Sequence, residues 1–480
     1  KAELIIMGGT FPSFPLDYQE EFVQFAFKAL NDFSGLFYTN DDSAKNNDSA
    51  ENEFNRFNYV NEFNYVKFKE FFELPSADFG SEERTKKIQE KILKLKYKII
   101  DKATNEITNK ATNNTAKKTS PRQQTTNTKR QQNVNKTETT LEKEQLRNET
   151  AKIRCVALCI ETRPDYGMLE HGNQMLKLGA TRVELGIQSV YDDILKRIKR
   201  GHTADETKKS LCILKDLGFK VAAHYMPGLP GVDKKKDLKG MKLLFEDADY
   251  RPDMLKIYPC MVIKGTKLYE EYKKGKFTPL NAKEAAKLIV EFKKSIPEYC
   301  RVQRVQRDIP TSLTEAGAEM TNLRQYMHNK FDVQCRCIRC REPKKKRINW
   351  SKIKIKTYAY SSSQGKEFFI SAEDTKNDLL AGFCRLRFPS QVLRKEITKN
   401  SALLRELHVY GTAAGLSEKG EVQHRGLGKK LMERAEKIAV KYGKDKIVVI
   451  SGIGVRGYYK KLGYEKEGGY MVKMVKKREN

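Results

Sequence analysis

The chain has 480 residues and a mass of 55.3 kDa, which at ordinary domain sizes predicts about two or three domains. It carries 92 lysines and arginines against 62 acidic residues, a formal net charge of +30, so a polyanion such as nucleic acid is the expected partner. No apolar run reaches the roughly 20 residues of a transmembrane helix, and no signal peptide begins the sequence. Nine cysteines, an odd number, argue against a secreted disulfide framework. We therefore expect a cytoplasmic protein with no membrane partner.

The first residue is lysine, and the apolar run at residues 4–7 already predicts a buried strand. We therefore expect native sequence upstream of it.

Residues 104–140 are dominated by Thr, Asn and Gln and contain no aromatic residue. Such a composition buries too little apolar surface to offset its ordering entropy, so we predict a polar, partly disordered insert within residues 40–150. Ahead of the polar stretch, residues 86–100 have the apolar spacing of a helix with a basic face.

A regular pattern follows the insert. Short apolar runs predict strands at 153–161, 182–187, 219–226 and 254–258, with a further one at 301–306, and helical stretches such as 206–217 separate them. This β-α alternation predicts a parallel sheet or (βα) barrel over residues 1–310. Polar residues cluster just after the strands, where such barrels carry their active sites, although ordinary turn chemistry explains them equally well.

The order of elements changes near the end of the chain. Strands are predicted at 353–360, 368–372, 379–388 and 403–409, followed by a helix at 427–440, a strand at 447–450, a short helix near 455–462 and a strand at 470–475. We interpret residues 352–480 as an α+β domain. Residues 311–351 form a Cys-rich, basic linker between the two parts.

A glycine-rich turn precedes the helix at 427–440. Arg425, Gly426, Leu427, Gly428 and Lys429 lie where backbone N–H groups of a helix N-terminus can face a diphosphate. Strand, glycine turn, helix and apolar strand in this order resemble the GCN5-related N-acetyltransferases, whose equivalent loop binds the pyrophosphate of acetyl-CoA. The segment GYYKKLGY at 457–464 resembles the closing segment of that family, in which a tyrosine protonates the leaving thiolate.

Three thiols lie within six residues, at Cys335, Cys337 and Cys340. Soft thiolates at this spacing favour a tetrahedral, structural zinc site with one further ligand. Cys384, Cys300 or His328 could supply that ligand, and the sequence does not choose among them. The alternative is a set of free thiols on a basic loop.

The linker is also strongly basic. Residues 336–356 contain ten lysines and arginines and one acid, with aromatic residues nearby, a mixture that suits phosphate contacts and base stacking. A merely solubilising stretch is the alternative. The candidate RNA-binding residues are Arg336, Arg339, Arg341, Lys344, Lys345, Lys346 and Arg347.

Other reactive side chains carry weaker signals. Cys155, Cys159 and Cys212 lack metal-ligand spacing, and we interpret them as small core residues. His224, on a predicted strand, is more often a core histidine than a functional one, although its position near the barrel mouth keeps a role open.

Both halves of the chain together resemble the catalytic subunit of Elongator, most closely the bacterial or archaeal type that acts without other Elongator subunits. The segments that carry the resemblance are IMGGTF (6–11), ETRPDY (161–166), GIQSVY (186–191), RGHT (200–203), HYMP (224–227), KIYP (256–259), RVQRDIP (304–310), RELHVYG (405–411) and YYKKLGY (458–464). The resemblance implies an α/β fold in which a partial radical-SAM-type (βα) barrel is joined through a zinc-binding linker to an α+β acetyltransferase domain.

That family modifies the wobble uridine of tRNA. The resemblance implies that acetyl-CoA and S-adenosylmethionine (SAM) are used to place a carboxymethyl group on carbon 5, with hydrolysis of the thioester. It also implies a 4Fe-4S cluster held by three cysteines ahead of the first strand. Because no such motif is present in this sequence, we expect the cluster ligands upstream and impaired radical chemistry in this chain.

The resemblance also assigns site residues by position. SAM would contact Gly8, Gly9, Thr10, Arg163 and Gln188. Acetyl-CoA would be bound by the glycine turn and by Lys1, and its pantetheine arm would pair with the strand that contains Glu406, Leu407, His408 and Val409. Tyr459 would lie beside the thioester, with Tyr458 next to it.

Two other functions fit parts of the sequence. A protein lysine acetyltransferase needs only the C-terminal domain and leaves the barrel and the basic linker without a task. A non-catalytic tRNA-binding scaffold is permitted by the missing cluster cysteines.

Overall fold

The computed structural model describes residues 1–38, 59–60, 63–75, 80–94, 139–306, 313–320, 322–344, 346–410 and 426–475. The chain divides into two compact units, one made of Lys1 and Glu20–Arg154 and the other of Ala2–Gln19 and Cys155–Asn480. No helix in the described ranges is long and apolar enough to span a bilayer.

The smaller unit is helical in its described parts. Its elements are the helix Leu16–Phe37, which begins in the larger unit, the short strands Tyr59–Val60 and Phe63–Asn64, and the helices Tyr65–Phe71, 82–94 and Leu141–Asn148. Phe37 is buried and packs edge-on against Phe68 and Phe71. The polar insert predicted at 40–150 thus contains folded segments, and nearly all of its most polar part, 104–140, lies outside the described residues.

The larger unit begins with a six-stranded parallel sheet. Its strands, in spatial order, are β1 (Ala2–Ile6), β2 (Cys155–Thr162), β3 (Arg182–Gln188), β4 (Lys220–Tyr225), β5 (Met254–Ile257) and β6 (Arg301–Arg304). Every neighbouring pair is parallel, so all carboxyl ends meet at one edge. The predicted half-barrel is confirmed, and the run at 301–306 supplies its sixth strand.

Helices connect these strands and also follow the last of them. The connecting helices are Leu169–Lys177, Asp192–Arg197, Ala204–Asp216, Lys234–Glu246, Lys267–Lys273 and Ala282–Lys293, with 3-10 turns at Phe11–Ser13 and Pro164–Tyr166. After β6 come the helices Leu323–Lys330 and Ile338–Arg341, and Val262–Ile263 pairs with Thr314–Ala316 in a two-stranded ribbon. Capping boxes begin two of the connecting helices, Thr203 with Glu206 and Asn281 with Glu284, which satisfies amide groups that a helix N-terminus leaves unpaired.

A second, mixed sheet of seven strands follows. Its strands in chain order are β7 (Ile353–Ser362), β8 (Gly365–Asp374), β9 (Leu379–Phe388), β10 (Ser401–Val409), β11 (Lys446–Val449), β12 (Glu465–Glu467) and β13 (Tyr470–Met474), and their spatial order is β7-β8-β9-β10-β11-β13-β12. Only β10 and β11 run parallel. One face packs against the helix Leu427–Lys441 around Ile370, Leu404 and Leu431. The remaining elements of this part of the chain are the 3-10 turns Trp350–Lys352 and Ile453–Val455 and the helix Arg456–Lys460.

Candidate active site and metal centre

A cavity of about 710 Å³ opens at the carboxyl ends of the parallel strands. The residues around it follow or end successive strands, as expected for a site built on a parallel sheet. They include Met7, Glu161, Gln188, His224, Met226, Tyr258 and Arg304. A cavity of this size, lined by both apolar and charged side chains, suits a nucleoside-sized cofactor.

A charged cluster lies on the cavity side of the sheet. Strand register places Glu161 beside Glu184 and His224 beside Lys256. His224 Nε2 lies 2.8 Å from Glu184, and Lys256 donates to Glu161 Oε1 at 2.8 Å while also contacting Glu184. Burial alone would raise the pKa of Glu184, but the His224 hydrogen bond and the Lys256 charge lower it well below its ordinary value. The carboxylate therefore stays ionised.

Three of these side chains, Glu161, Glu184 and His224, bring possible ligand atoms within 4.8 Å of one another. The Lys256 ammonium contacts both carboxylates, so a cation is already provided by the protein. We assign the cluster as a salt-bridge network rather than a metal site. His224, for which the sequence left a role open, lies on the cavity wall and contacts the Tyr258 ring edge-on.

The residues predicted to contact SAM are divided around the cavity. Gln188 lines it, with φ of 62° at the end of β3. Gly8 and Gly9 follow the cavity residue Met7, and their φ values of 91° and 62° favour glycine. Thr10 begins the 3-10 turn after them.

Arg163 is used locally. Its Nε donates to Asp165 Oδ1 at 2.9 Å, and its guanidinium lies over the Tyr166 ring. It is not one of the described residues that line the cavity, so its predicted contact with SAM stays a prediction.

The strand β10 has one open side. It pairs with β9 as far as Val409, whereas its pairing with β11 extends only from Ser401 to Leu404. Beyond Leu404 the two parallel strands separate. Within the described residues, the backbone of Glu406–Val409 on that side has no strand partner, which leaves N–H and C=O groups for an extended ligand such as the pantetheine arm.

The glycine turn lies at the start of the helix Leu427–Lys441. Gly426 has a left-handed φ of 67°. Leu427, the first residue of the helix, is buried in the core between the helix and the second sheet. A Cβ on Gly428 would come within 2.7 Å of the Tyr458 hydroxyl, so a side chain at this position would displace Tyr458. Lys429 is exposed, as is Lys1 in the smaller unit, and Arg425 lies outside the described residues.

The two candidate tyrosines differ in environment. Tyr459 is 6% exposed in the core of the second sheet, whereas Tyr458 is 40% exposed. Burial raises the pKa of Tyr459 far above its ordinary value, so its hydroxyl carries its proton at neutral pH. That is the protonation state that a general acid requires.

A buried ionic network connects the two sheets, and sequence reasoning missed it. Asp253, directly before β5, is fully buried and accepts two hydrogen bonds of 2.7 Å from Arg405 on β10. Next to Arg405, Glu406 accepts from Lys220 on β4 at 2.7 Å and from Arg385 on β9 at 2.8 Å. The sequence feature that could have indicated this network is arginine inside otherwise apolar strands, as in GFCRLRF at 382–388.

The same network continues at its other end. Arg387 on β9 pairs with Asp216 of the helix Ala204–Asp216, with Nε to Oδ1 at 2.7 Å, and with Glu367 on β8 at 2.9 Å. All three side chains are buried. Charges removed from water at this depth are stabilised only by mutual pairing.

The three linker thiols form one cluster. Cys335, Cys337 and Cys340 place their sulfur atoms within 4.8 Å of one another, and Cys337 is fully buried. The Nζ of Lys293 lies 3.7 Å from Cys340 Sγ. Contacts with Cys335 and Cys340 lower the pKa of the Cys337 thiol well below its ordinary value. This donor set fits a zinc ion.

The three candidates for the fourth zinc ligand lie in different places. Cys384 lies in the core of the second sheet, with its thiol against the Leu431 carbonyl oxygen. Within the described residues Cys384 is not part of the cysteine cluster, because its strand directs the side chain under the helix Leu427–Lys441. Cys300 accepts the Ile338 N–H with its carbonyl oxygen at 2.9 Å, next to Cys337, and His328 is exposed on the helix Leu323–Lys330.

The basic linker residues fall into two groups. Arg341 is 2% exposed and pairs with Glu373 at 2.9 Å, so it stabilises the linker rather than facing solvent. Arg336 and Arg339 are partly exposed and paired with acids. Lys344, Lys346 and Arg347 are exposed, and Lys345 lies outside the described residues.

The family models that match the chain agree with this arrangement. The Radical SAM superfamily matches residues 131–242, the Radical_SAM C-terminal domain residues 252–332, and the Acetyltransferase (GNAT) family residues 332–464.

Curated relatives are similar over the same halves. The chain is 50% identical over 348 residues to the tRNA uridine(34) acetyltransferase of Methanocaldococcus jannaschii, covering 70% of this chain and 64% of the relative. It is 43% identical over 345 residues to that of Dehalococcoides mccartyi, covering 69% of this chain and 75% of the relative. It is 41% identical over 340 residues to human Elongator complex protein 3, covering 68% of this chain and 62% of the relative. The chain thus spans less than two thirds of the first and third of these relatives.

A solved structure is similar across nearly the whole chain. It is the archaeal Elp3 of Methanocaldococcus infernus with an N-terminal deletion of residues 1–46, with a TM-score of 0.73 and 39% identity, covering 98% of this chain and 90% of that one.

The buried network gives a first prediction. Asp253→Asn leaves Arg405 and Arg385 without their shared anion, so we expect the free energy of unfolding to fall by about 3–5 kcal/mol. Denaturant unfolding followed by circular dichroism measures it. The matched control is Lys208→Met, which breaks a half-exposed pair with Asp247 and is expected to cost at most about 1 kcal/mol. Equal shifts in the two variants would contradict a structural role for the network.

Proposed function

Because the chain belongs to the family of tRNA uridine(34) acetyltransferases, which includes Elongator complex protein 3, we propose that it uses acetyl-CoA and SAM to modify carbon 5 of the wobble uridine of tRNA. The product would be the carboxymethyl group, released when the thioester is hydrolysed. The observation that carries the proposal is that the cavity of the parallel sheet and the open side of β10 occur in one compact unit, connected by buried ion pairs.

Acetyl-CoA binding would use backbone groups of the second sheet. The unpaired side of Glu406–Val409 would pair with the pantetheine arm, and the amides that begin the helix Leu427–Lys441 would bind the pyrophosphate. Gly426 supplies the left-handed turn before that helix, and Gly428 leaves room for the Tyr458 hydroxyl beside it.

Tyr459 would act on the leaving group. When water attacks the thioester, the sulfur of coenzyme A leaves as a thiolate, and a protonated hydroxyl beside it supplies the proton. Tyr459 carries its proton at neutral pH, as such a donor must.

SAM would occupy the cavity. Bound SAM would supply the 5′-deoxyadenosyl radical that activates the acetyl methyl carbon, once an iron-sulfur cluster has given it the one electron that its cleavage needs. Glu161, Gln188 and the Gly8–Gly9 turn would orient it, and Met226 and Leu229 would exclude water. The proposed 4Fe-4S cluster needs three thiolates, and Cys260 is the one cysteine among the described residues that line the cavity. The described cysteines therefore do not form its ligand set at this cavity.

The linker would hold zinc and meet tRNA. Cys335, Cys337 and Cys340 would bind zinc as a structural ion, which connects the helix Ile338–Arg341 to the chain before it. Lys344, Lys346 and Arg347 are exposed and would contact phosphates. Arg336 and Arg339 could join them by exchanging their partners.

Hydrolysis of acetyl-CoA tests the proposal. We expect slow release of coenzyme A thiol by the protein alone and faster release with tRNA, because a thioester hydrolysed before tRNA binds would be wasted. Tyr459→Phe is expected to lower the stimulated rate by about 10²–10⁴-fold. Tyr442→Phe, which removes an exposed hydroxyl at the far end of the helix Leu427–Lys441, is the matched control.

Gly428→Glu separates binding from chemistry, because its carboxylate would occupy the pyrophosphate position and abolish acetyl-CoA binding. Equal rates with and without tRNA would contradict tRNA as the trigger. Fast acetylation of a histone-like peptide without tRNA would support a protein acetyltransferase instead.

Binding of tRNA should depend on salt. If about six phosphates are contacted, affinity should fall on the order of a thousandfold between 50 and 200 mM salt. Filter binding of labelled tRNA measures it. Replacing Lys344, Lys346 and Arg347 with alanine should reduce the slope, whereas a slope near zero for the unaltered protein would exclude electrostatic binding.

Zinc removal should destabilise the linker. Cys337→Ser is expected to lower stability by several kcal/mol, because metal binding contributes folding free energy. Elemental analysis of protein purified without chelator, with thermal unfolding of both proteins, measures it. Cys384→Ser, a buried thiol outside the cluster, is the control for loss of a cysteine, and unaltered protein without zinc would exclude the site.

A further inference from the structure

Lys293 is the residue from which the further inference starts. It ends the helix Ala282–Lys293 and is 1% exposed. Its Nζ makes one hydrogen bond within the described residues, to Cys340 Sγ at 3.7 Å, and no carboxylate of those residues lies within 4.0 Å of it. A buried ammonium without a counter-ion costs several kcal/mol.

The other buried lysines of the described chain show what Lys293 lacks. Lys215 donates to the Arg251 carbonyl oxygen and to Ser362 Oγ, both at 2.6 Å. Lys256 and Lys446 pair with carboxylates. Lys293 alone among them has sulfur as its partner, and a neutral thiol is a weak acceptor.

A negative charge on the three thiols would give the buried Lys293 ammonium a counter-ion. Zinc keeps bound thiols deprotonated, and one Zn²⁺ with three thiolates carries a net charge of −1. One ammonium at hydrogen-bond distance from a ligand sulfur brings that charge to zero. The guanidinium of Arg324 also lies within electrostatic reach of the thiols, but it donates to the carbonyl oxygens of Val302 and Gln303.

We propose that Lys293 is the buried counter-ion of the linker metal site and orients Cys340 by donating to its sulfur. The inference rests on the zinc site of the proposed function and adds a positioning residue to it. It places one partner of the metal site on a helix of the parallel-sheet half, so the ion would connect that half to the linker.

The test compares three variants of the full chain. Lys293→Met keeps the length and the apolar stem but removes the charge, and Lys293→Arg restores a charge. The matched control is Lys294→Met, because Lys294 is the neighbouring residue, half-exposed and paired with Glu291 at 2.7 Å. Zinc affinity is measured by competition with a chromophoric chelator, and thermal midpoints are measured with and without added zinc.

Lys293→Met should weaken zinc binding by about 10–100-fold, the usual effect of losing a partner of a metal ligand. Lys293→Arg should recover part of the loss, and Lys294→Met should behave like the unaltered protein. Without zinc, Lys293→Met should be at least as stable as the unaltered protein, since an unpaired buried charge is gone. A merely structural lysine would instead destabilise both forms.

Three outcomes would overturn the inference, and they are distinguishable. If the unaltered protein binds no zinc, the metal site itself fails, together with the role of Lys293. If the unaltered protein binds zinc and Lys293→Met binds it as tightly, the metal site stands and the counter-ion role fails. Should Lys293→Met not fold with or without zinc, the lysine is required for the fold alone, which also contradicts the proposal.

Discussion

The pairing of Asp253 with Arg405 is the interaction on which the rest of the larger unit depends. Two hydrogen bonds of 2.7 Å join them with no exposure to solvent. Asp253 directly precedes β5, and Arg405 lies within β10, so the pair fixes a strand of each sheet relative to the other. Such a pair is costly to form and more costly to break, because removing either partner leaves an uncompensated buried charge. Its value lies in defining one arrangement of the two sheets.

That arrangement has a functional consequence. Three residues beyond Asp253, β5 carries Lys256 into the charged cluster beside the cavity, and one residue beyond Arg405, β10 begins its open side at Glu406. Lys220 on β4 pairs with Glu406 as well. The proposed SAM cavity and the proposed pantetheine strand are thus each a few residues away from the same buried ion pairs. A transfer between two cofactors needs this fixed separation, since misplacement of reacting groups by an ångström is costly.

Charge has different roles in different parts of the chain, although the net value of +30 suggests a single one. Arg405 joins the two sheets through Asp253, and Arg387 joins the second sheet to the helix Ala204–Asp216. Arg341 stabilises the linker through Glu373, and Lys293 faces the thiols. Only exposed cations such as Lys344 remain available for a polyanion. Net charge therefore predicts the class of partner, whereas burial decides which cations can meet it.

The sequence by itself determined the features that depend on local pattern. Apolar runs and turn residues predicted the parallel strands and the mixed sheet, and spacing predicted the cluster that contains Cys337, because period and spacing are properties of neighbouring residues. Only the tertiary structure decided that Cys384 lies away from that cluster, that Lys293 lies beside it, and that Asp253 meets Arg405. These pairs are separated by about 40 to 150 positions, and no local propensity encodes which of many distant side chains will meet in a packed core. The tertiary structure also determined where β10 and β11 separate, because strand pairing is a contact between distant segments. The family resemblance had placed acetyl-CoA at this opening.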